Sequence, residues 1–123
     1  METNLNLMDK FKIIFLKEAR EFLLDLDEKS RHKIIFNMDK AKIKNDKELF
    51  KKLQGEIWEF RTMHNKTFYR IFAFWDKTEK EETFVLATHG IVKKTRKIPD
   101  KEIGKAEKIR LDYFKYKNEE NGK

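Results

Sequence analysis

From His89 to Pro99 the chain reads His-Gly-Ile-Val-Lys-Lys-Thr-Arg-Lys-Ile-Pro. An imidazole and four cations, Lys93, Lys94, Arg96 and Lys97, therefore leave an apolar run together and stop at the only proline. Ammonium and guanidinium groups seek phosphate, and an imidazole with an ordinary pKa of about 6.5 trades protons near neutrality. Two further guanidiniums, Arg61 and Arg70, lie within the preceding apolar runs, with Glu59 just before the first. If the strands that carry them pair across the turn at Asn65, both forks reach one phosphate. A register slip of one residue would send one arginine to the core face instead.

The elements that must position these groups follow from periodicity. Phe11-Lys12-Ile13-Ile14-Phe15-Leu16 is short, aromatic and β-branched, and reads as a first strand. From Lys17 the period changes, with Ala19, Phe22, Leu23 and Leu26 forming the stripe of an amphipathic helix to about Asp27. A second stripe, Ile34, Ile35, Met38 and Ala41, follows a break where Asp27 or Ser30 could cap, and two helices so close should form an antiparallel hairpin. Asn45 or Asp46 then opens one further turn bearing Leu49, Phe50 and Leu53, which Gly55 ends.

Period two takes over at Ile57-Trp58-Glu59-Phe60-Arg61, whose aromatic face should meet the helices while Glu59 and Arg61 point the other way. Phe68 to Trp75 reads as a second strand and Glu82 to His89 as a third, giving an antiparallel meander. A helix from about Asp100 carries Ile103, Ala106, Ile109, Tyr113 and Phe114. The fold class is α+β, with one sheet face covered by helices and the other left open, where Glu59, Arg61 and Arg70 collect. A single domain over residues 1–123 is expected, with flexible tails at 1–10 and 118–123.

Composition bounds the function. The 123 residues carry a net charge of +7 and suit one domain, and an apolar fraction of 39% with eleven phenylalanines is enough for a small core. The positive balance favours a polyanionic partner: nucleic acid, an acidic protein or an anionic membrane surface. Without cysteine there is no disulfide, thiolate metal site or thiol nucleophile, and His32, His64 and His89 are too far apart for a zinc motif. The longest apolar runs are about five or six residues, against roughly 20 for a membrane span. Met1 to Lys10 has no apolar stretch of the secretory kind, so a cytoplasmic location is expected.

Three ordered pieces carry a resemblance: Ile57-Trp58-Glu59-Phe60-Arg61, Tyr69-Arg70-Ile71, and Thr88-His89-Gly90-Ile91-Val92-Lys93-Lys94-Thr95 with Pro99 beyond. Their order and spacing, from about Phe11 to Tyr113, resemble the phage-derived, HigB-like branch of the RelE/ParE toxin superfamily. The segment from Met63 to Phe68 is poorer in glycine than is usual there, and the loop from Asp76 to Glu82 is unusually charged. The resemblance implies a small RelE-like fold: an N-terminal strand and helix hairpin on a mainly antiparallel sheet, then a C-terminal helix. It also implies a type II toxin that cuts mRNA on the ribosome without metal or other cofactor, and a cognate helix-turn-helix antitoxin.

Such cleavage needs the ribose 2′-OH deprotonated, charge at phosphorus stabilised and the departing 5′ oxygen protonated. Arg61 and Arg70 suit the second task. His89 suits proton transfer; Lys93 and Lys94 are alternative bases, since crowded cations favour the neutral amine, and Glu59 is a third. Arg96, Lys97, Thr95 and Glu59 complete the expected RNA-contacting set. Each has a plainer reading. His89 can be a hydrogen-bonded strand-end residue, Arg61 and Glu59 an ordinary salt bridge, the lysine run phosphate positioners without chemistry, and Thr95 a helix cap. A ParE-like inhibitor of gyrase, a non-catalytic RNA-binding module and a toxin remnant that only binds antitoxin stay as alternatives.

Overall fold

The structure is a computed structural model, which describes residues 9–121. Its elements in chain order are β1 (Lys12–Phe15), α1 (Lys17–Asp25), α2 (Glu28–Ile43), β2 (Phe50–Gln54), β3 (Ile57–His64), β4 (Thr67–Asp76), β5 (Phe84–Lys93) and α3 (Asp100–Asn121). The strands form one open sheet in the order β1-β5-β4-β3-β2, antiparallel except where β1 runs parallel to β5. This is an α+β architecture with a five-stranded, mostly antiparallel sheet and a C-terminal helix. No helix among the described residues is long and apolar enough to cross a membrane.

Several local expectations hold for identifiable reasons. Asp27 caps α2 by accepting from the Ser30 amide at 3.0 Å, which satisfies one orphan donor of the first turn. Asn65 and Lys66 both take positive φ (52° and 58°), as a two-residue turn between twisted antiparallel strands requires. Arg61 stands directly opposite Arg70 across that hairpin.

Other expectations are corrected. Leu49, Phe50 and Leu53 do not share a helical turn: residues from Phe50 form β2, and Gly55 at φ +56° turns the chain into β3. The helices are not a packed hairpin either. Each spends its stripe on the sheet, α1 chiefly against β5 and α2 against β3. The approach of α1 is close: a Cβ on Gly90 would fall inside the van der Waals envelope of the Phe22 ring. The third strand of the meander runs on to Lys93, and α3 continues past Asn118 to Asn121. Of the tails expected to be flexible, residues 1–8 and 122–123 lie outside the described residues, while the Lys10 amide donates to the Lys42 carbonyl at 2.8 Å.

The largest correction concerns the sheet face expected to be open. Alternation sends Phe60, Ile71, Ala73, Val85 and Ala87 to one side, where they pack with Ala19, Leu23, Ile34 and Met38 of α1 and α2. The other side carries Ile57, Phe72, Phe74 and Leu86, and these pack under Ala106 with Ile103, Ile109, Tyr113 and Phe114 of α3. That helix therefore covers one half of the face, burying apolar side chains worth roughly 1.5–3 kcal/mol each. Its far end is pinned by Asp76, whose buried carboxylate accepts from Tyr113 and Lys117 at 2.7 Å each and from Thr78. The half that remains carries Arg61, Met63, Phe68, Arg70, Ile91 and Lys93.

Candidate RNA-binding and catalytic site

Glu59 and Arg61 share a face of β3, and the register brings Arg70 of β4 beside them. Glu59 Oε1 accepts from Arg70 Nη1 at 2.7 Å and lies 3.3 Å from Arg61 Nε, so one carboxylate oxygen serves two guanidiniums. The sequence reading brought these three together correctly but placed them at an open surface. Glu59 is fully buried and Arg70 is 2% exposed; only Arg61, with 18% of its side chain accessible, reaches solvent. Arg70 lies against the main chain of the loop after β5 and against the Phe68 ring. Glu48, an exposed carboxylate, pairs with the other side of Arg61 at 3.8 Å, and Arg70 Nε and Glu59 Oε2 are buried without a hydrogen-bond partner.

His89 owes its direction to an irregularity in β5. Phe72 pairs with His89 but Ala73 pairs with Ala87, so Thr88 is an extra residue and the ladder is bulged there. Simple alternation from Val85 and Ala87 would turn His89 toward α1; the bulge turns it toward α3 instead. There its ring stacks on Phe72 at 4.8 Å, Nδ1 lies 2.9 Å from Thr88 Oγ1, and Nε2 lies 3.3 Å from Glu102 Oε1. A neutral ring satisfies both contacts when Thr88 donates to Nδ1 and Nε2–H donates to Glu102. A protonated ring donates from both nitrogens, and the Thr88 hydroxyl then turns to the Phe72 carbonyl at 3.3 Å. Burial first, and the Lys105 ammonium second, push the His89 pKa below its ordinary value, while Glu102 opposes them. At 3% exposure His89 is buried in this arrangement, whereas the sequence reading put it at the wall of the site.

Lys93 is half-buried at the strand end, opposite Phe68, and Lys94, Thr95, Arg96 and Lys97 are exposed. The loop is drawn onto the arginine cluster by its main chain: Arg70 Nη2 donates to the Arg96 carbonyl at 3.1 Å. Asp100 opens α3 well past Thr95, so Thr95 is not its cap and stays available to a ligand. The sequence reading missed Phe68, Thr88 and Glu102. Alternation with Arg70 was a signal for Phe68; nothing local announces the bulge at Thr88 or the reach of Glu102 across from α3. Among the described residues, no three His, Cys, Asp or Glu side chains are grouped so as to hold a metal ion.

A half-face with two opposed arginines, a cationic loop strapped across them and a small α+β scaffold defines the class of protein in which this chain falls. The chain belongs to the family described as phage derived protein Gp49-like (DUF891), which matches residues 21–110, and this is a RelE/HigB-type toxin-like family. The matched span contains every residue of the half-face and the loop. No curated protein matches the chain.

Proposed function

We propose that this protein is a HigB-like toxin of a type II toxin–antitoxin pair, a ribosome-dependent endonuclease that cuts mRNA without metal and is silenced by a cognate helix-turn-helix antitoxin. The observation that carries this reading is the 3.1 Å bond from Arg70 to the Arg96 main chain. It holds a strip of exposed cations over the one part of the sheet face that α3 leaves uncovered. In this reading Arg61, Lys93 and Arg96 hold the scissile phosphate and stabilise its transition-state charge. Lys94 exchanges protons with the 2′-OH and the departing 5′ oxygen. Thr95 and Lys97 contact neighbouring phosphates. Glu59 and Arg70 act through others as positioning residues, fixing Arg61 and the loop, and His89 ties β5 to the first turn of α3 through Glu102.

One observation favours a second reading. Burial of Glu59, Arg70 and His89 leaves fewer groups for proton transfer than the residue types suggested, and a ParE-like gyrase inhibitor needs none of them. Inducing the wild type and an Arg61→Ala, Lys94→Ala variant separates the two. Under the nuclease reading transcripts acquire codon-phased 5′ ends, the variant loses them, and co-expression of the neighbouring reading frame restores growth. Intact transcripts with altered plasmid supercoiling would overturn it in favour of gyrase.

A further inference from the structure

Phe68 stands apart from the other aromatic residues of this face. Phe72 and Phe74, on the same side of β4, are fully buried under α3, whereas Phe68 lies beyond its reach and is only half-buried. Its register partners are Met63 on β3, which is 60% exposed, and Lys93 on β5. Two guanidiniums lie against its ring, Arg70 at 5.6 Å and Arg96 at 5.8 Å from the centroid. Arg70 is fixed by Glu59 and the Arg96 carbonyl, but no hydrogen bond or ion pair among the described residues holds the Arg96 guanidinium. An exposed methionine and an accessible phenylalanine thus form an apolar ledge bordered by Lys93, Arg96 and Arg61.

From this we infer that Phe68 and Met63 form a nucleobase-binding ledge beside the phosphate site, with Arg96 as a movable cover. The inference deepens the RNA-cleaving reading and rests on it. An aromatic ring stacks a base of any identity, because every base has a π-face. An exposed cation over a ring is held more weakly than a stacked base. The base therefore displaces the Arg96 guanidinium, which swings from the ring to the phosphate attached to that base. The exchange couples base entry to charge neutralisation: the cation that guards the empty ledge becomes a phosphate ligand when the ledge is filled. Charge complementarity selects the occupant. A ledge ringed by cations suits a base carried on a phosphodiester and disfavours an apolar peptide without acidic residues.

The test is a chemical double-mutant cycle on the full chain. Binding of a labelled single-stranded RNA hexamer, 2′-O-methylated against cleavage, is followed by fluorescence anisotropy. A parallel series carries one abasic position at each site in turn. Phe68→Leu keeps the apolar bulk and removes the π-face. It should weaken binding of the intact hexamer about tenfold, leave the salt dependence unchanged, and have no effect on the hexamer abasic at the stacked position; Phe68→Trp should restore binding. The ledge is overturned if the hexamer does not bind, if Phe68→Leu binds the intact and every abasic hexamer equally well, or if Phe68→Trp binds as poorly as Phe68→Leu. A fall in salt dependence in Phe68→Leu would also overturn it, since the ring would then be acting only to place Arg96. The outcome is separable from that of the nuclease reading. A Phe68-dependent ledge without cleavage of ribosome-bound mRNA would remove the nuclease and keep the ledge, and cleavage with no base-specific effect of Phe68 would do the reverse.

Discussion

Glu59 holds two guanidiniums through one oxygen at a fully buried position, and its removal leaves Arg70 charged and unpaired in the interior. Glu59→Ala should therefore lower the unfolding free energy by about 3–5 kcal/mol. Glu59→Leu combined with Arg70→Met should recover most of that loss, because both buried charges then go together. Urea unfolding of the three chains checks this; equal instability of the single and double variants would show that packing, not charge, sets the cost. His89 makes a second residue-level prediction. Its folded pKa is lowered by burial and by Lys105, so the unfolded chain binds its proton more readily. The stability this contributes is complete above the unfolded value of about 6.5 and is lost as pH falls through the lowered folded value. The charges that act on the ring are Glu102, in contact with it, and Lys105 of α3 and Glu18 of α1 from further off. Melting temperature should fall between pH 7.5 and pH 5, and His89→Gln should flatten that fall.

α3 leaves one half of the second sheet face uncovered, and Asp76 pins the C-terminal part of that helix to the end of β4. Burial alone would raise the Asp76 pKa, but hydrogen bonds from Lys117, Thr78 and Tyr113 hold it well below the usual carboxylate range, while burial and that same contact push Tyr113 up to about 12. Asp76→Ala should cost about 1.5–3 kcal/mol, the range for a hydrogen bond to a charged group. Hydrogen exchange should rise in the amides of Ile109 to Lys117 while β4 and β5 stay protected; uniform loosening would refute the latch. Much of this arrangement was legible in the sequence, because β3, β4, α1 and α2 carry clean apolar periods. Arg61 and Arg70 fell opposite each other because the Asn65-Lys66 turn fixes the register. β2 was not legible: Leu49, Phe50 and Leu53 mimic helical spacing, and the register shift between Lys52 and Gln54 breaks the alternation of an edge strand. Nor was the coverage by α3. Its apolar spacing shows that the helix must pack, but the choice of face is tertiary. The bulge at Thr88 reverses the direction of His89 without a local sequence signature.

At the scale of the whole molecule, the net charge is +7, and four of the cations, Lys93, Lys94, Arg96 and Lys97, lie together at the end of β5 and in the loop that follows it. Membership of the Gp49-like family makes the protein toxin-like; the claim that it cuts RNA rests on that surface. Binding dominated by phosphate contacts weakens steeply with salt, and loss of one contacting lysine lowers the slope by about one. Lys97→Ala should therefore reduce the salt dependence of RNA binding without abolishing cleavage. The most direct measurement uses purified protein and ribosomes stalled on a defined mRNA, with cut sites read by primer extension. Cleavage at one fixed position within the ribosome-bound codon, lost in the Arg61→Ala, Lys94→Ala variant, is the predicted result. Intact mRNA on those ribosomes after incubation with the wild type would contradict it.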